Sequence, residues 1–386
     1  MISYNKTWLS NLRIQAEARK DLRQGLITNT EFITITEKYP VGFYSPNILV
    51  RVGLFMLTFI IIAFTFGLLS LIASSAIIET GGWLFFLGLV VYALLEILIT
   101  SNYHYRSGVD DALLFLSGWF FVIAFSIWLH NDSSFYIMLS GIVFVLCLYF
   151  TLRFADMLAT AICCAAFFSL VFYSWIRIEP IGLSTVQFVI MLVSAAIYWL
   201  IYVNRNEKAF ADYKNCIVVA QVICLLTLYA AGNYYIVQTL SDELHGQTKA
   251  ISLGAFFWMW TIVLPFVYIC FGIKKKNVIL LRIGLLLVAA AAVTFRTYYH
   301  IFPLDVTLTV VAAIILGVVY LVTKYLKTPK NGFTLAEPTE AHLMDNLRIE
   351  SLAVAQTFSH APSAPADKGT KFGGGDFGGG GSSDSF

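Results

Sequence analysis

Residues 51–73, RVGLFMLTFIIIAFTFGLLSLIA, decide the fold class of this chain. After Arg51 the run has no charged residue, and it is apolar on every side rather than along one face. A helix needs about 20 mostly apolar residues to cross the hydrocarbon core of a bilayer. A closed β-barrel would instead show strands of about 10 residues with strict alternation. The stretch therefore predicts a transmembrane helix.

Runs of the same kind recur along the rest of the chain. The 386 residues are 59% hydrophobic and only 12% charged, whereas roughly a quarter of the residues in ordinary soluble domains are charged. The predicted fold is therefore an all-α integral membrane protein, a bundle of about ten transmembrane helices. We place them at 51–73, 82–100, 111–129, 133–152, 156–176, 183–203, 214–236, 250–272, 277–296 and 305–326.

Lysine and arginine predict the orientation of the bundle. With ten spans and a cytoplasmic N-terminus, the 25 Lys and Arg residues all fall on the cytoplasmic side except Arg177, Lys249 and Arg296. This is the positive-inside pattern. Losing one span would move part of the basic set to the other side, so the pattern also supports the number of spans. Both the N-terminus and the C-terminus are expected in the cytoplasm.

Residues 1–46 predict a short cytoplasmic helical hairpin. Gly25 is a plausible end for the first helix. Thr28 and Glu31 have the spacing of a capping box at the start of the second helix, which ends before Pro40. Three roles stay open for this hairpin: packing beneath the bundle, lying on anionic lipid of the inner leaflet, or docking a partner.

The remaining chain divides into three regions. Residues 47–327 are the transmembrane bundle, and 328–358 are a cytoplasmic linker with a short helix. Residues 359–386 are a Pro- and Gly-rich tail that is expected to be disordered. The tail is interpreted either as a flexible extension or as a docking segment for a cytoplasmic protein, because an apolar side chain beside a free carboxylate is a pair that end-capturing domains recognise. The candidate docking residues are Phe372, Phe377 and Phe386.

Several stretches resemble a group of bacterial multi-pass membrane proteins, typified in Bacteroidetes, whose function is uncharacterised. They are Trp8 with Gly25-Leu26-Ile27-Thr28, the segment 294–300 with Pro303, and Tyr325-Leu326-Lys327-Thr328-Pro329. The glycine-rich end is also similar to tails on other bacterial membrane proteins. The resemblance implies the bacterial inner (plasma) membrane and transfers no chemistry.

The sequence lacks the common motifs of enzymes and cofactor sites. It has no phosphate-binding glycine loop, HExxH, CxxC or G-x-S-x-G. We therefore assign no catalytic, cofactor-binding or metal-binding residue, and an enzyme is disfavoured. Membrane topology already explains the basic residues, so no nucleic-acid partner is expected.

Glu96 is the first candidate for a functional residue within the membrane. An ionisable side chain at depth must be neutral, paired or in contact with water. Glu96 lies in the inner third of its predicted span, and the possible partners Arg106, Arg153 and Asp156 lie on the same side. Two interpretations stay open: a structural ion pair, or a proton or solute site.

A second candidate site lies at the outer junction of the ninth and tenth spans. Its residues are Arg296, Tyr298, His300 and Asp305. Asp305 would neutralise Arg296 within an aromatic belt, or the guanidinium would receive an anionic solute or a lipid phosphate. Another exception to the charge rule, Arg177, is expected to pair with Glu179.

Three uncharged polar residues also lie in or near the spans. Gln187, Gln221 and Asn233 are each expected to bond to a neighbouring helix. Such bonding is commoner for a single buried amide in a bundle than ligand binding.

Two functions of different classes follow from these features. The first is a non-catalytic membrane scaffold or sensor that recruits partners through its cytoplasmic ends. The alternative is a small-solute transporter with Glu96 or the Arg296/His300 region lining the pathway. Against transport, the sequence shows no internal repeat, and Pro265 has no matching break in the first half. A lipid-modifying enzyme would depend on the His300 region alone.

Overall fold

The computed structural model describes residues 2–72, 81–130, 132–205, 207–245 and 253–298, with isolated residues between 306 and 324. This part of the chain is all-α. Its helices are α1 (Lys6–Arg23), α2 (Asn29–Lys38), α3 (Ile48–Ile72), α4 (Gly82–Asn102), α5 (Val109–Leu129), α6 (Phe135–Phe154), α7 (Met157–Ile176), α8 (Gly182–Asn204), α9 (Lys214–Gly232), α10 (Tyr234–His245), α11 (Gly254–Lys274) and α12 (Val278–Tyr298). A 3₁₀ helix, Lys208–Tyr213, precedes α9.

Nine of the helices in the described ranges are long and apolar enough to cross a membrane: α3 to α9, α11 and α12. They confirm the first nine predicted spans, with ends that differ by a few residues. The tenth predicted span, 305–326, and the regions 328–358 and 359–386 lie outside the continuously described residues.

The surface of these helices is apolar. Leu71, Phe64 and Leu192 are 83%, 72% and 70% exposed, and most side chains of α3 are similarly uncovered. Soluble monomers rarely expose contiguous apolar patches larger than a few hundred Å². The bundle therefore requires lipid as its solvent, since the same surface in water would aggregate.

Consecutive helices pack as antiparallel pairs, because short loops join them. The closest pairs are α4 with α5, α6 with α7, α8 with α9, and α11 with α12. Helix α3 packs on α5, while α9 contacts α7, α11 and α12. Loops 103–108, 155–156, 207–213 and 275–277 lie on the same side as α1 and α2, which we call the hairpin side. The opposite side is called the far side.

Two hydrophobic clusters hold the bundle together. In the first, α4 contributes Leu87, Val91, Leu95 and Ile99, which recur every four residues and so lie on one helix face. The second cluster joins α9, α11 and α12. The backbones of α11 and α12 approach closely at Gly284, where an added Cβ would lie 3.1 Å from the carbonyl oxygen of Pro265. Small residues allow such approach between membrane helices.

The two helices of the predicted N-terminal hairpin are confirmed. The α1 helix ends before Gly25, whose φ of +69° suits a residue without a side chain. Thr28 and Glu31 form the capping box, in which the Thr28 hydroxyl accepts from the Glu31 N–H and the Glu31 carboxylate accepts from the Thr28 N–H. The turn that joins the two helices is therefore determined by local sequence signals.

Helix α10 is an addition to the prediction, which extended the seventh span to residue 236. Asn233 leaves the helical region, with φ −71° and ψ 126°, so α9 ends at Gly232. The Asn233 side chain then accepts a hydrogen bond from the backbone N–H of Ile236 at 3.2 Å. This bond caps a new amphipathic helix, because asparagine favours a cap over a helix interior.

Candidate functional site

The N-terminal segment is fixed to the bundle by a cluster of aromatic rings. Trp8 packs edge-on against Phe43 and Tyr103, with ring centroids 5.3 and 4.9 Å apart. Tyr4 packs edge-on against Tyr105 at 5.0 Å, and Tyr105 stacks on Phe43. Edge-to-face aromatic pairs add about 0.5–1.5 kcal/mol each beyond the burial of their area. The cluster therefore joins the hairpin to the α4–α5 loop.

Glu96 of α4 lies about 9 Å from the hairpin-side end of its helix, at 1.5 Å per residue. Arg153, near the end of α6, binds it in a bidentate manner. Its Nε donates to Oε1 at 2.9 Å and its Nη2 to Oε2 at 3.1 Å. The Tyr92 hydroxyl donates to Oε1 at 2.6 Å, and the Ser3 hydroxyl to Oε2 at 3.1 Å. We call Glu96, Arg153, Tyr92 and Ser3 the Glu96 network.

The Glu96 network leaves the carboxylate little further capacity. An ionised carboxylate has about four lone-pair positions, and four donors of this chain approach it. The backbone is fixed as well, since the N–H of Ser3 donates to the carbonyl oxygen of Arg153 at 2.9 Å. Of the partners considered from the sequence, the structure brings Arg153 to Glu96. The arrangement fastens the N-terminus to α4 and α6.

A second charged cluster surrounds Tyr4 on the hairpin side. Asp110 is 3% exposed and accepts from the backbone N–H groups of Arg106 and Ser107 at 2.7 and 2.8 Å. Asp111 Oδ2 accepts from Arg51 Nε and Nη2 at 2.9 and 2.6 Å. These side chains are thereby satisfied within the chain.

The space between these groups is too small for a solute. Tyr4, Arg106, Asp110, Asp111 and Asp156 line a cavity of about 20 Å³. A cavity needs at least about 10–15 Å³ to hold one water molecule. The cavity can therefore accommodate about one water molecule and is too small for a metabolite.

Burial shifts the protonation of two members of this cluster. It raises the pKa of the Tyr4 hydroxyl well above its usual value, and the neighbouring Asp110 and Tyr105 act in the same direction. Burial also raises the pKa of the Asp156 carboxyl, although its bond from the Ala159 N–H opposes this. Asp156 caps α7, so it links the cluster to the start of the next helix.

The sequence interpretation missed this second cluster, although one signal for part of it was present. Ser107 and Asp110 have the S-x-x-D spacing of a capping motif, and the Ser107 hydroxyl and N–H both bond to Asp110. Ser3 and Tyr4 had no such signal. Their partners are distant in sequence and are brought together only by the fold.

The second candidate site is described only in part. Tyr298 packs on Tyr234 and Trp258, with centroids 5.0 and 5.7 Å apart, at the far side. Arg296 lies two residues before Tyr298 in α12 and is partly buried. His300 and Asp305 lie outside the described residues, so the expected pairing with Arg296 stays a prediction.

Arg177 has different partners from those expected. Its guanidinium donates to the Ser134 hydroxyl at 3.0 Å and to the carbonyl oxygen of Ser133. The predicted pairing with Glu179 is therefore wrong, because the α5–α6 loop lies within reach and supplies acceptors. Arg177 joins two far-side loops.

The three amides also differ from one another. Asn233 bonds to the neighbouring helix as expected, since its Nδ2 donates to the Thr294 hydroxyl of α12 at 3.0 Å. In contrast, Gln187 Oε1 and Gln221 Nε2 are buried without a hydrogen-bond partner among the described residues. For these two, the expected bond to a neighbour is not seen at those atoms.

Within the described ranges, no group of three or more His, Cys, Asp or Glu side chains is arranged to hold a metal ion. The chain matches no protein family model, no curated protein and no solved structure. Its class follows from the architecture itself: it is an all-α, multi-pass membrane protein.

Proposed function

We propose that this chain is a bacterial inner-membrane scaffold or sensor without catalytic activity, which recruits cytoplasmic protein partners through its two ends. The hairpin side is then the cytoplasmic side. Basic residues favour this orientation, since Arg153, Arg205 and Lys274 lie at hairpin-side helix ends. The resemblance to Bacteroidetes-type membrane proteins supports the bacterial inner membrane.

The observation that carries the proposal is the Glu96 carboxylate, whose hydrogen-bonding positions are occupied by donors of this chain. A carboxylate that binds a proton or a solute in a transport cycle must release its partners and take them up again. Glu96 instead accepts from Arg153 at two atoms, from Tyr92 and from Ser3. Glu96, the single acidic residue of α4, thereby positions the N-terminal segment, which suits a rigid scaffold.

Two surfaces of this scaffold are available to partners. Helix α2 has no buried side chain, and Leu26 and Ile33 beside and within it are 69% and 54% exposed. Residues 359–386 add a glycine-rich segment with three phenylalanines. Apolar side chains on an otherwise polar segment are suitable anchors for a partner groove.

The test is a quantitative cross-linking and purification of the epitope-tagged full chain from membranes of its source bacterium. Three variants are compared with it: deletion of 359–386, the triple change Phe372→Ser with Phe377→Ser and Phe386→Ser, and Leu26→Ser with Ile33→Ser. Ser382→Ala with Ser383→Ala is the matched control in the tail. We expect specific partners with the full chain and the control, and their loss with the tail or hairpin variants.

The same strains separate this function from transport. An identical partner list for all chains would remove the scaffold proposal. The scaffold proposal would also be removed if the tail-deleted chain complemented a strain that lacks this protein, whereas Glu96→Gln or Arg296→Ala, at equal membrane levels, did not. The latter result would instead favour a solute pathway through Glu96 or the Arg296/His300 region.

A further inference from the structure

A separate cavity of about 340 Å³ lies between α7, α8, α9 and α10, towards the far side. Its volume falls within the roughly 300–1,000 Å³ of small-molecule sites. Among its lining residues only Gln187 and Thr227 have polar side chains, and none is charged. The cavity therefore suits a neutral and mostly apolar molecule.

Gln187 supplies the polar feature of this cavity. It lies five residues into α8, about 8 Å along the helix axis, and its Oε1 is buried without a hydrogen-bond partner among the described residues. A buried polar atom without a partner costs about 1–3 kcal/mol. Native structures therefore rarely keep one unless something bonds to it.

Helix α10 closes one wall of the cavity with its apolar face. Val237 is 1% exposed and Leu240 also lines the space, whereas Gln238 and Asp242 bond to each other at 2.7 Å. The start of α10 is fixed by the Asn233 cap and by a bond from the Tyr234 N–H to the Thr261 hydroxyl at 2.9 Å. The wall that α10 forms is thus anchored to α11 by a hydrogen bond outside the cavity.

We propose that this cavity binds a long-chain aliphatic alcohol or an equivalent neutral lipid, with its hydroxyl on the Gln187 side-chain amide and its chain along α9 and α10. A side-chain amide presents an acceptor and a donor, and a hydroxyl complements either. An alkane lacks this match, and a charged headgroup would meet no countercharge in the lining. The proposal is independent of partner recruitment through the cytoplasmic ends.

The test uses the full chain in phospholipid nanodiscs and a dodecyl alcohol that carries a photoreactive diazirine. We expect labelled peptides from α8 and α10. Unlabelled dodecanol should compete and dodecane should compete much less. Gln187→Leu should weaken dodecanol competition roughly 3- to 10-fold, the effect of one hydrogen bond, and Ala231→Leu should abolish labelling by filling the cavity.

Gln221→Leu is the matched control, because Gln221 is a second buried amide that does not line the cavity. It should bind dodecanol like the wild type. Gln187→Leu removes a buried polar atom, so the ligand-free variant should retain the wild-type melting temperature or exceed it, which excludes misfolding. Equal competition by dodecane, wild-type binding by Gln187→Leu, or labelling spread evenly over the lipid-facing helices would each overturn the proposal.

Discussion

A carboxylate that stays ionised inside a bilayer and away from water needs a countercharge and hydrogen-bond donors, and the Glu96 network supplies both. Arg153 is suited to this role because its planar fork matches the two carboxylate oxygens. The side chains of Arg153 and Glu96 remain 33% and 21% exposed, so the protein covers the pair only in part. The contribution of this ion pair to stability is therefore expected to lie between that of a surface pair and that of a fully buried pair.

The pairing predicts non-additive effects on stability. Glu96→Gln should lower the free energy of unfolding by about 1.5–3 kcal/mol, since it weakens hydrogen bonds to a charged group. Arg153→Gln should have a similar effect. The double variant should lose less than the sum, with a coupling of about 0.5–3 kcal/mol. Denaturant unfolding in micelles measures these values, and Arg23→Gln, at an exposed arginine of α1, is the neutral control. Strictly additive losses would contradict a direct interaction.

Tyr4 predicts a loss of stability at alkaline pH. Burial among Asp110, Asp111 and Tyr105 raises its pKa, whereas nearby Arg106 lowers it to a smaller extent. The unfolded chain loses this proton near pH 10, and the folded chain retains it. Stability is therefore unaffected below pH 10 and falls as the pH rises further, by about 1.4 kcal/mol per pH unit for one group.

Unfolding midpoints between pH 8 and pH 11 measure this slope. Tyr4→Phe keeps the ring and removes the titrating hydroxyl, so its stability should depend less steeply on pH. Tyr44→Phe, at an exposed tyrosine on the hairpin side, should keep the wild-type slope. Equal slopes for the Tyr4 variant and the wild type would show that this hydroxyl ionises freely in the folded chain.

At the scale of elements, α3 and α5 meet at one glycine. Gly108 has a φ of +93°, and an added Cβ would lie 2.1 Å from the carbonyl oxygen of Arg51. No side-chain rotation relieves a contact with backbone. Gly108→Ala should therefore combine strain of about 1–2 kcal/mol with overpacking of about 1–3 kcal/mol.

Gly25→Ala is the control for the Gly108 prediction. It has a φ of +69° and nothing within 4 Å of an added Cβ. Gly25→Ala should show the cost of backbone strain alone, and the loss of stability in Gly108→Ala should be clearly larger. Thermal unfolding of both variants compares them. Similar losses would mean that α3 and α5 do not approach closely at this point.

The helices could be predicted from sequence more fully than their contacts. Long apolar runs determine spanning helices by themselves, because lipid leaves the backbone no other way to satisfy its hydrogen bonds. The ends were less certain, and Asn233 shows why. It resembles a tolerated polar residue in a span, yet its capping bond to the Ile236 N–H ends α9 and starts α10.

The Glu96 network could be predicted from the sequence only in part. The depth of Glu96 and the basic residues near it followed from spacing, and Arg153 was among the possible partners. Ser3 could not be predicted, because it lies 93 residues from Glu96 and depends on how the hairpin docks. The 340 Å³ cavity is a property of packing between four helices, and no single span encodes it.

For the whole molecule, charge and lipid exposure make a consistent arrangement. The apolar helix surfaces require a bilayer, and the basic loops gather on the side that holds α1 and α2. A cytoplasmic hairpin side accounts for this distribution. Reporter fusions test the orientation at loops between the described spans. Green fluorescent protein should fluoresce, and alkaline phosphatase should be inactive, after Arg106, Glu207 or Lys276.

The opposite pattern is expected after Asp132 or Ile178 in the far-side loops. These two fusions are the matched controls, since each follows a span of similar length. A fusion after Lys330 then tests the predicted tenth span, 305–326, because ten spans return the chain to the cytoplasm and nine leave it outside. An active phosphatase after both Glu207 and Lys276 would invert the proposed orientation. Activity after Lys330 alone would remove the tenth span and place residues 359–386 beyond the reach of cytoplasmic partners.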